Sequence, residues 1–127
     1  MSLRFEIFPS DLDATADFYV HVLGFTLVRD ERGGGDGYLA LHRDGVQVGA
    51  AGRAAVPDPD RRRPPVGVEL VLEDDDLEEE RGRVERAGWP VEEDVVARPW
   101  GLRDFRLVDP SGYYLRVTER SPGDGAA

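Results

Sequence analysis

Residues 10–25 read SDLDATADFYVHVLGF, and residues 74–89 read DDDLEEERGRVERAGW. Both carry an aspartate followed by leucine near the start, Asp11-Leu12 and Asp76-Leu77, and both close on a glycine followed by an aromatic, Gly24-Phe25 and Gly88-Trp89. In the first, Leu12, Ala16, Tyr19 and Leu23 recur at helical spacing behind Ser10 or Asp11 as N-cap, with Gly24 as the stop. In the second, Leu77, Val84 and Ala87 or Gly88 take the inner side of a helix. Two helices with matching ends, far apart in one short chain, are the mark of a repeat.

The flanks repeat too. Before the first helix, LRFEIF (3–8) is short and alternating, as a strand is. After it come a strand in FTLVRDE (25–31), a flexible turn in GGGDG (33–37), a strand in YLALHR (38–43), a tight turn at Asp44-Gly45 and a strand in VQVGAA (46–51). Around the second helix the same order returns. VGVELVL (66–72) is a strand, WPVEEDVV (89–96) another, RPWG (98–101) a loop, LRDFRLV (102–108) a strand, DPSG (109–112) a turn and YYLRVTE (113–119) the last strand. Between the copies, GRAAVPDPDRRRPP has the composition of a linker. One domain therefore divides into a βαβββ module (1–51), a linker (52–65), a second βαβββ module (66–120) and a tail (121–127). The fold class is α+β, in which the two modules join as a curved mixed sheet with helices on the convex side and a trough within.

Strand alternation assigns the faces. Phe5, Ile7, Leu39, Leu41, Val68, Leu70, Leu72, Leu115 and Val117 turn to the helices. Arg4, Glu6, Phe8, Tyr38, Ala40, His42, Glu69, Val71, Tyr114, Arg116 and Thr118 turn to the trough, while Phe105 fits either side. Aromatic and charged groups mixed on one concave face suit a ligand site better than a core.

Composition excludes several functions. With no cysteine among 127 residues there is no disulfide framework, thiolate metal site or cysteine nucleophile. A net charge of −10 disfavours nucleic acid as a partner. MSLRFEIF lacks the apolar run of a leader, and no segment has the length of a membrane span, so the expected address is the cytoplasm. The run Gly33–Gly35 lacks the strand-to-helix setting of a phosphate loop and reads as a hairpin tip able to cover the trough.

The paired modules, with DLDATADFYVHVLGF early and PWGLRDFRLVDPSGYYL late, resemble the vicinal oxygen chelate superfamily over roughly residues 3–119. That superfamily includes glyoxalase I, extradiol dioxygenases, fosfomycin-resistance thiol transferases and bleomycin-resistance proteins. The Pro-Trp-Gly loop is most similar to the bleomycin-resistance branch, whose members are homodimers that hold a drug between subunits without transforming it. Enzymes of the superfamily hold a divalent ion with one side chain from each of four strands. By that resemblance, counting from the Asp-Leu helix starts and the turn glycines Gly45 and Gly112, the matching positions here are Arg4, Gly49, Glu69 and Arg116. Only Glu69 can ligate a metal; guanidiniums repel one. A shift by two residues would add only Glu6. No metal or other cofactor is expected.

The expected ligand-binding residues are Phe8, Tyr38, His42, Glu69, Trp100, Gly101, Tyr114 and Arg116, with no catalytic residue among them. Trp100 can stack on a planar group, Gly101 admits close backbone approach, and Arg116 and Arg4 can donate to ligand oxygens. Glu69 can instead form an ion pair with Arg4 or Arg116, Trp100 can serve a subunit contact, and His42 can satisfy local hydrogen bonds. His21 should face solvent, and Trp89 should cap the core. The expected function is capture of a hydrophobic, aromatic natural product (bleomycin-, enediyne- or mitomycin-like) at a dimer interface. The alternatives are a metal-dependent enzyme of the glyoxalase or dioxygenase kind and a metal-free biosynthetic enzyme.

Overall fold

Asp11 opens the first helix as a side-chain cap, its carboxylate accepting from the Ala14 N–H at 3.0 Å. Asp76 does the same for the second, accepting from Glu79 N–H at 3.0 Å. These pairs frame the computed structural model, which describes residues 1–52, 65 and 67–120. The order is β1 (Arg4–Ile7), α1 (Leu12–Asp17), a π-helical turn (Phe18–Val22), β2 (Thr26–Asp30), β3 (Tyr38–Arg43) and β4 (Val46–Ala51). The second module follows with β5 (Leu70–Asp74), α2 (Leu77–Arg86), β6 (Glu93–Ala97), β7 (Arg103–Val108) and β8 (Tyr114–Glu119). Each module builds a four-stranded mixed sheet, ordered β1-β4-β3-β2 and β5-β8-β7-β6. The first and last strands of each module run parallel, and the other neighbours antiparallel. This is the duplicated α+β architecture that the sequence implies.

Alternation places the core as expected. Ile7, Leu39, Leu41, Phe105, Leu107, Leu115 and Val117 are buried and join Phe18, Tyr19, Leu77 and Val84 in one apolar cluster drawn from both modules. The helix-facing sides of the two modules thus share a core. Contacts between modules seal it: Tyr19 donates its hydroxyl to Asp109 at 2.8 Å, Phe18 packs on Trp89 at 4.9 Å, and Arg43 donates to buried Glu80 and to the Leu23 carbonyl. Burial and the neighbouring Asp109 hold the Tyr19 hydroxyl well above the usual tyrosine range, so it stays protonated as the donor.

Several expectations are corrected. The two sheets do not merge: among the described residues no strand of one pairs with a strand of the other. Because the shared core uses the helix sides, both trough faces are open to solvent, and one chain does not enclose a trough. Val68 lies ahead of β5 and is exposed rather than packed on its helix; Ala87 and Gly88 are exposed as well. Thr118, expected in the trough, is buried and donates to the Arg103 carbonyl. Phe105 is core, and Trp89 is half-buried, donating its indole N–H to the Val108 carbonyl. His21 is exposed. Most of the linker, and all of the tail, lie outside the described residues.

Candidate functional site

The loop Arg98–Gly101 shows how local sequence presents a large side chain. Pro99 presets the second position of a turn closed by Gly101 N–H donating to the Arg98 carbonyl at 3.0 Å. Gly101 then takes φ +95°, a conformation that side-chain-bearing residues avoid, and Arg98 N–H donates to the Leu102 carbonyl at 2.8 Å. Trp100 stands at the crest, 57% exposed. The Arg98 side chain folds back and grips Asp104, Nη2 to Oδ1 at 2.9 Å, and also pairs with Glu93. A solvent-exposed indole therefore sits on a turn tied to its own hairpin.

Beneath it lies the open face of the second sheet. The Arg116 guanidinium carbon is 5.9 Å from the Trp100 ring centre, within cation–π reach. Arg116 Nε lies 2.6 Å from Glu69 Oε1, and Nη1 is 4.0 Å from Asp104 Oδ2. Charges of alternating sign thus run Glu69, Arg116, Asp104, Arg98, Glu93 across the floor, with Asp104 wholly buried. Tyr114, two residues before Arg116 on β8, shares this face by the alternation that buries Leu115 between them.

The first sheet has its own open face. Tyr38 donates to the Glu6 carboxylate at 3.1 Å, and Arg4 pairs with the same carboxylate at 3.7 Å. Burial, then the hydrogen bond to Glu6, raises the Tyr38 hydroxyl pKa. Glu6 and Gly49 are Cα partners across β1 and β4, and a methyl group on Gly49 would fall 1.5 Å from Glu6 Oε2 and 2.3 Å from the Tyr38 oxygen. The missing side chain at 49 is the space the carboxylate fills. Phe8 is 37% exposed, its N–H accepted by the Tyr113 hydroxyl at 3.0 Å. His42 is exposed, and stands four residues along β3 from Tyr38, about 13 Å away at strand rise.

The eight expected site residues therefore fall into two sets. Trp100, Gly101, Arg116, Glu69 and Tyr114 gather on the second sheet; Phe8 and Tyr38 lie on the first, with His42 apart from them. Glu69 takes Arg116 as its partner. Three residues of the floor were not read from sequence as site members: Asp104, Arg106 and Arg98. Alternation around Phe105 and Leu107 carried the signal for the first two once Phe105 is known to be core.

The donor set does not fit a divalent ion. Arg4 and Arg116 offer no lone pair, Gly49 offers no side chain and its space holds the Glu6 carboxylate, and the Glu69 carboxylate is drawn against a guanidinium. Among the described residues no three His, Cys, Asp or Glu side chains gather as ligands.

A family model described as the Glyoxalase/Bleomycin resistance protein/Dioxygenase superfamily matches residues 3–117. The chain belongs to that superfamily. Its description spans enzymes and resistance proteins alike. Solved structures agree on the fold of this superfamily member. TioX from Micromonospora sp. ML1 is 21% identical with a TM-score of 0.77, covering 95% of this chain and 99% of that one. The bleomycin resistance determinant encoded on the transposon TN5 is 22% identical at 0.75, covering 95% and 98%. Lactoylglutathione lyase from Agrobacterium tumefaciens is 24% identical at 0.69, covering 94% and 92%. No curated protein sequence matches. No helix among the described residues is long and apolar enough to cross a membrane.

Proposed function

We propose that this superfamily member binds rather than transforms: it captures a hydrophobic, partly aromatic natural product, of the bleomycin, enediyne or mitomycin kind, in a trough completed by a second copy. The observation that carries this reading is the floor of the second sheet, where an exposed tryptophan lies over a guanidinium at a position that superfamily enzymes use for a metal ligand. Such a floor can stack and hydrogen-bond a ligand, and its guanidiniums offer no lone pair to hold a Lewis acid. Two open faces with exposed Phe8, Val71 and Trp100 leave apolar surface for a partner to cover. A two-fold dimer sets the first sheet of one copy over the second sheet of the other, twice. Resemblance to resistance proteins supports the same reading.

The test is a titration of intrinsic tryptophan fluorescence against a panel of DNA-damaging antibiotics, with sedimentation to establish the dimer. A ligand that binds should lose about three- to tenfold in affinity on Trp100→Ala, the size of a stacking contribution. Tightly held zinc, iron or manganese at one ion per chain, or a chemically altered ligand after incubation, would favour an enzyme instead.

A further inference from the structure

Arg106 lies on β7 between Phe105 and Leu107, both fully buried in the core, so its side chain turns to the open face. Its Cα partners across the neighbouring strands are Arg116 and Glu93. The side chain is only 21% exposed, yet among the described residues its buried Nε has no hydrogen-bond partner, and the nearest carboxylate oxygen, Asp104 Oδ1, is 3.8 Å away. The acidic groups around it are engaged elsewhere. Asp104 and Glu93 are held by Arg98, and Glu69 by Arg116. Arg106 therefore reaches Asp104 only at ion-pair distance, and Arg116 Nε, though close to Glu69, likewise makes no aligned hydrogen bond among the described residues, so both arginines keep donor capacity on this face. A buried N–H without an acceptor is unfavourable, and an arriving acceptor relieves it.

We infer that Arg106 and Arg116, adjacent across β7 and β8 with Trp100 above Arg116, form a fork for an acidic oxygen on a planar ligand: a carboxylate, enolate or phenolate attached to an aromatic system. The inference rests on the binding reading above and narrows it, selecting planar acids over planar cations. The whole-chain charge of −10 repels such a ligand at a distance, so its recognition must act at contact. Added salt screens that repulsion, and affinity for the acid should hold or rise with ionic strength, whereas a basic surface patch would lose affinity.

Calorimetry on the full-length protein with 2-naphthoate and 2-naphthamide tests this, since the two probes share a ring system and differ in the acidic oxygen. The acid should bind about tenfold tighter than the amide, as expected for charge-assisted hydrogen bonds. Arg106→Gln should remove most of that preference by weakening the acid far more than the amide. Equal binding of the two probes, or binding of neither, overturns the inference. Equal binding that still weakens with Trp100→Ala leaves the binding reading intact; silence from both probes and from the antibiotic panel removes both. Should Arg106→Gln loosen the dimer yet keep the acid preference, Arg106 belongs to the subunit contact and the fork is refuted.

Discussion

Asp104 carries a carboxylate with no solvent exposure, gripped by Arg98 and approached by Arg106 and Arg116. Burial of a charge is tolerated only with such company, and removing the acid strands the guanidiniums. Asp104→Ala should therefore lower stability by about 3 kcal/mol, read as a shift in the urea midpoint at unchanged slope. Trp100→Ala should leave that midpoint within about 0.5 kcal/mol of wild type, because the indole is more than half exposed. Together the pair separates a residue that holds the floor from one proposed to hold a ligand. The placements of Trp100 on an exposed turn and of Glu69 and Arg116 on one open face were legible in the sequence, because turn chemistry and strand register fix them. Asp104 and Arg106 were not, since their facing depends on Phe105, an aromatic that suits a core and a binding wall equally. His42 shows the opposite failure: alternation gives its face, but four residues of strand, about 13 Å, already set it apart from Tyr38.

At the scale of elements, the two aspartate caps are independent and similar. Asp11→Ala and Asp76→Ala should each cost about 1 kcal/mol of stability and together about the sum, measurable by denaturant titration of the single and double variants. The caps could be read directly from Asp-Leu in both copies. Element ends were harder. The strand expected from Val66 begins at Leu70, where pairing with Leu115 begins, and the one expected from Trp89 begins at Glu93. Upstream of β6, Pro90 offers no N–H and the Trp89 indole is committed to the Val108 carbonyl, so chain that looks strand-like is used to cap the core instead. The first helix also departs from a regular spiral. Phe18 and Tyr19 are adjacent and both buried, which about 100° of turn per residue makes awkward; widening into a π-helical turn lets one meet Trp89 while the other reaches Asp109.

For the molecule as a whole, the repeat was visible from sequence, but how the modules meet was not, because apolar residues on a helix fit either sheet. One contact that settles it is the Arg43 pairing with Glu80, which ties the β3–β4 turn to α2. Burial pushes the Glu80 carboxyl up, but hydrogen bonds from Arg43 and Arg83 outweigh it, and the net shift is downward. A group depressed in the folded state adds stability above its unfolded pKa and loses that share as pH falls through the folded one. Stability should therefore decline as pH drops below about 4.5, the ordinary glutamate range, and Glu80→Gln should flatten that decline. At neutral pH the same variant should be less stable by about 3 kcal/mol, at the low end for a broken buried pair because Asp74 still attends Arg43. Urea midpoints between pH 3 and pH 7 check both expectations.

The two open faces are unlike: Glu6, Phe8 and Tyr38 on one sheet, Arg106, Arg116 and Trp100 on the other. In the proposed dimer every trough takes one face from each copy, so defects can complement. A Tyr38→Ala chain and a Trp100→Ala chain, each impaired alone, form a mixed pair in which one trough bears both lesions and its twin bears neither. Equal mixing after exchange should return about a quarter of the wild-type capacity, a recovery that two variants altered on the same face cannot give.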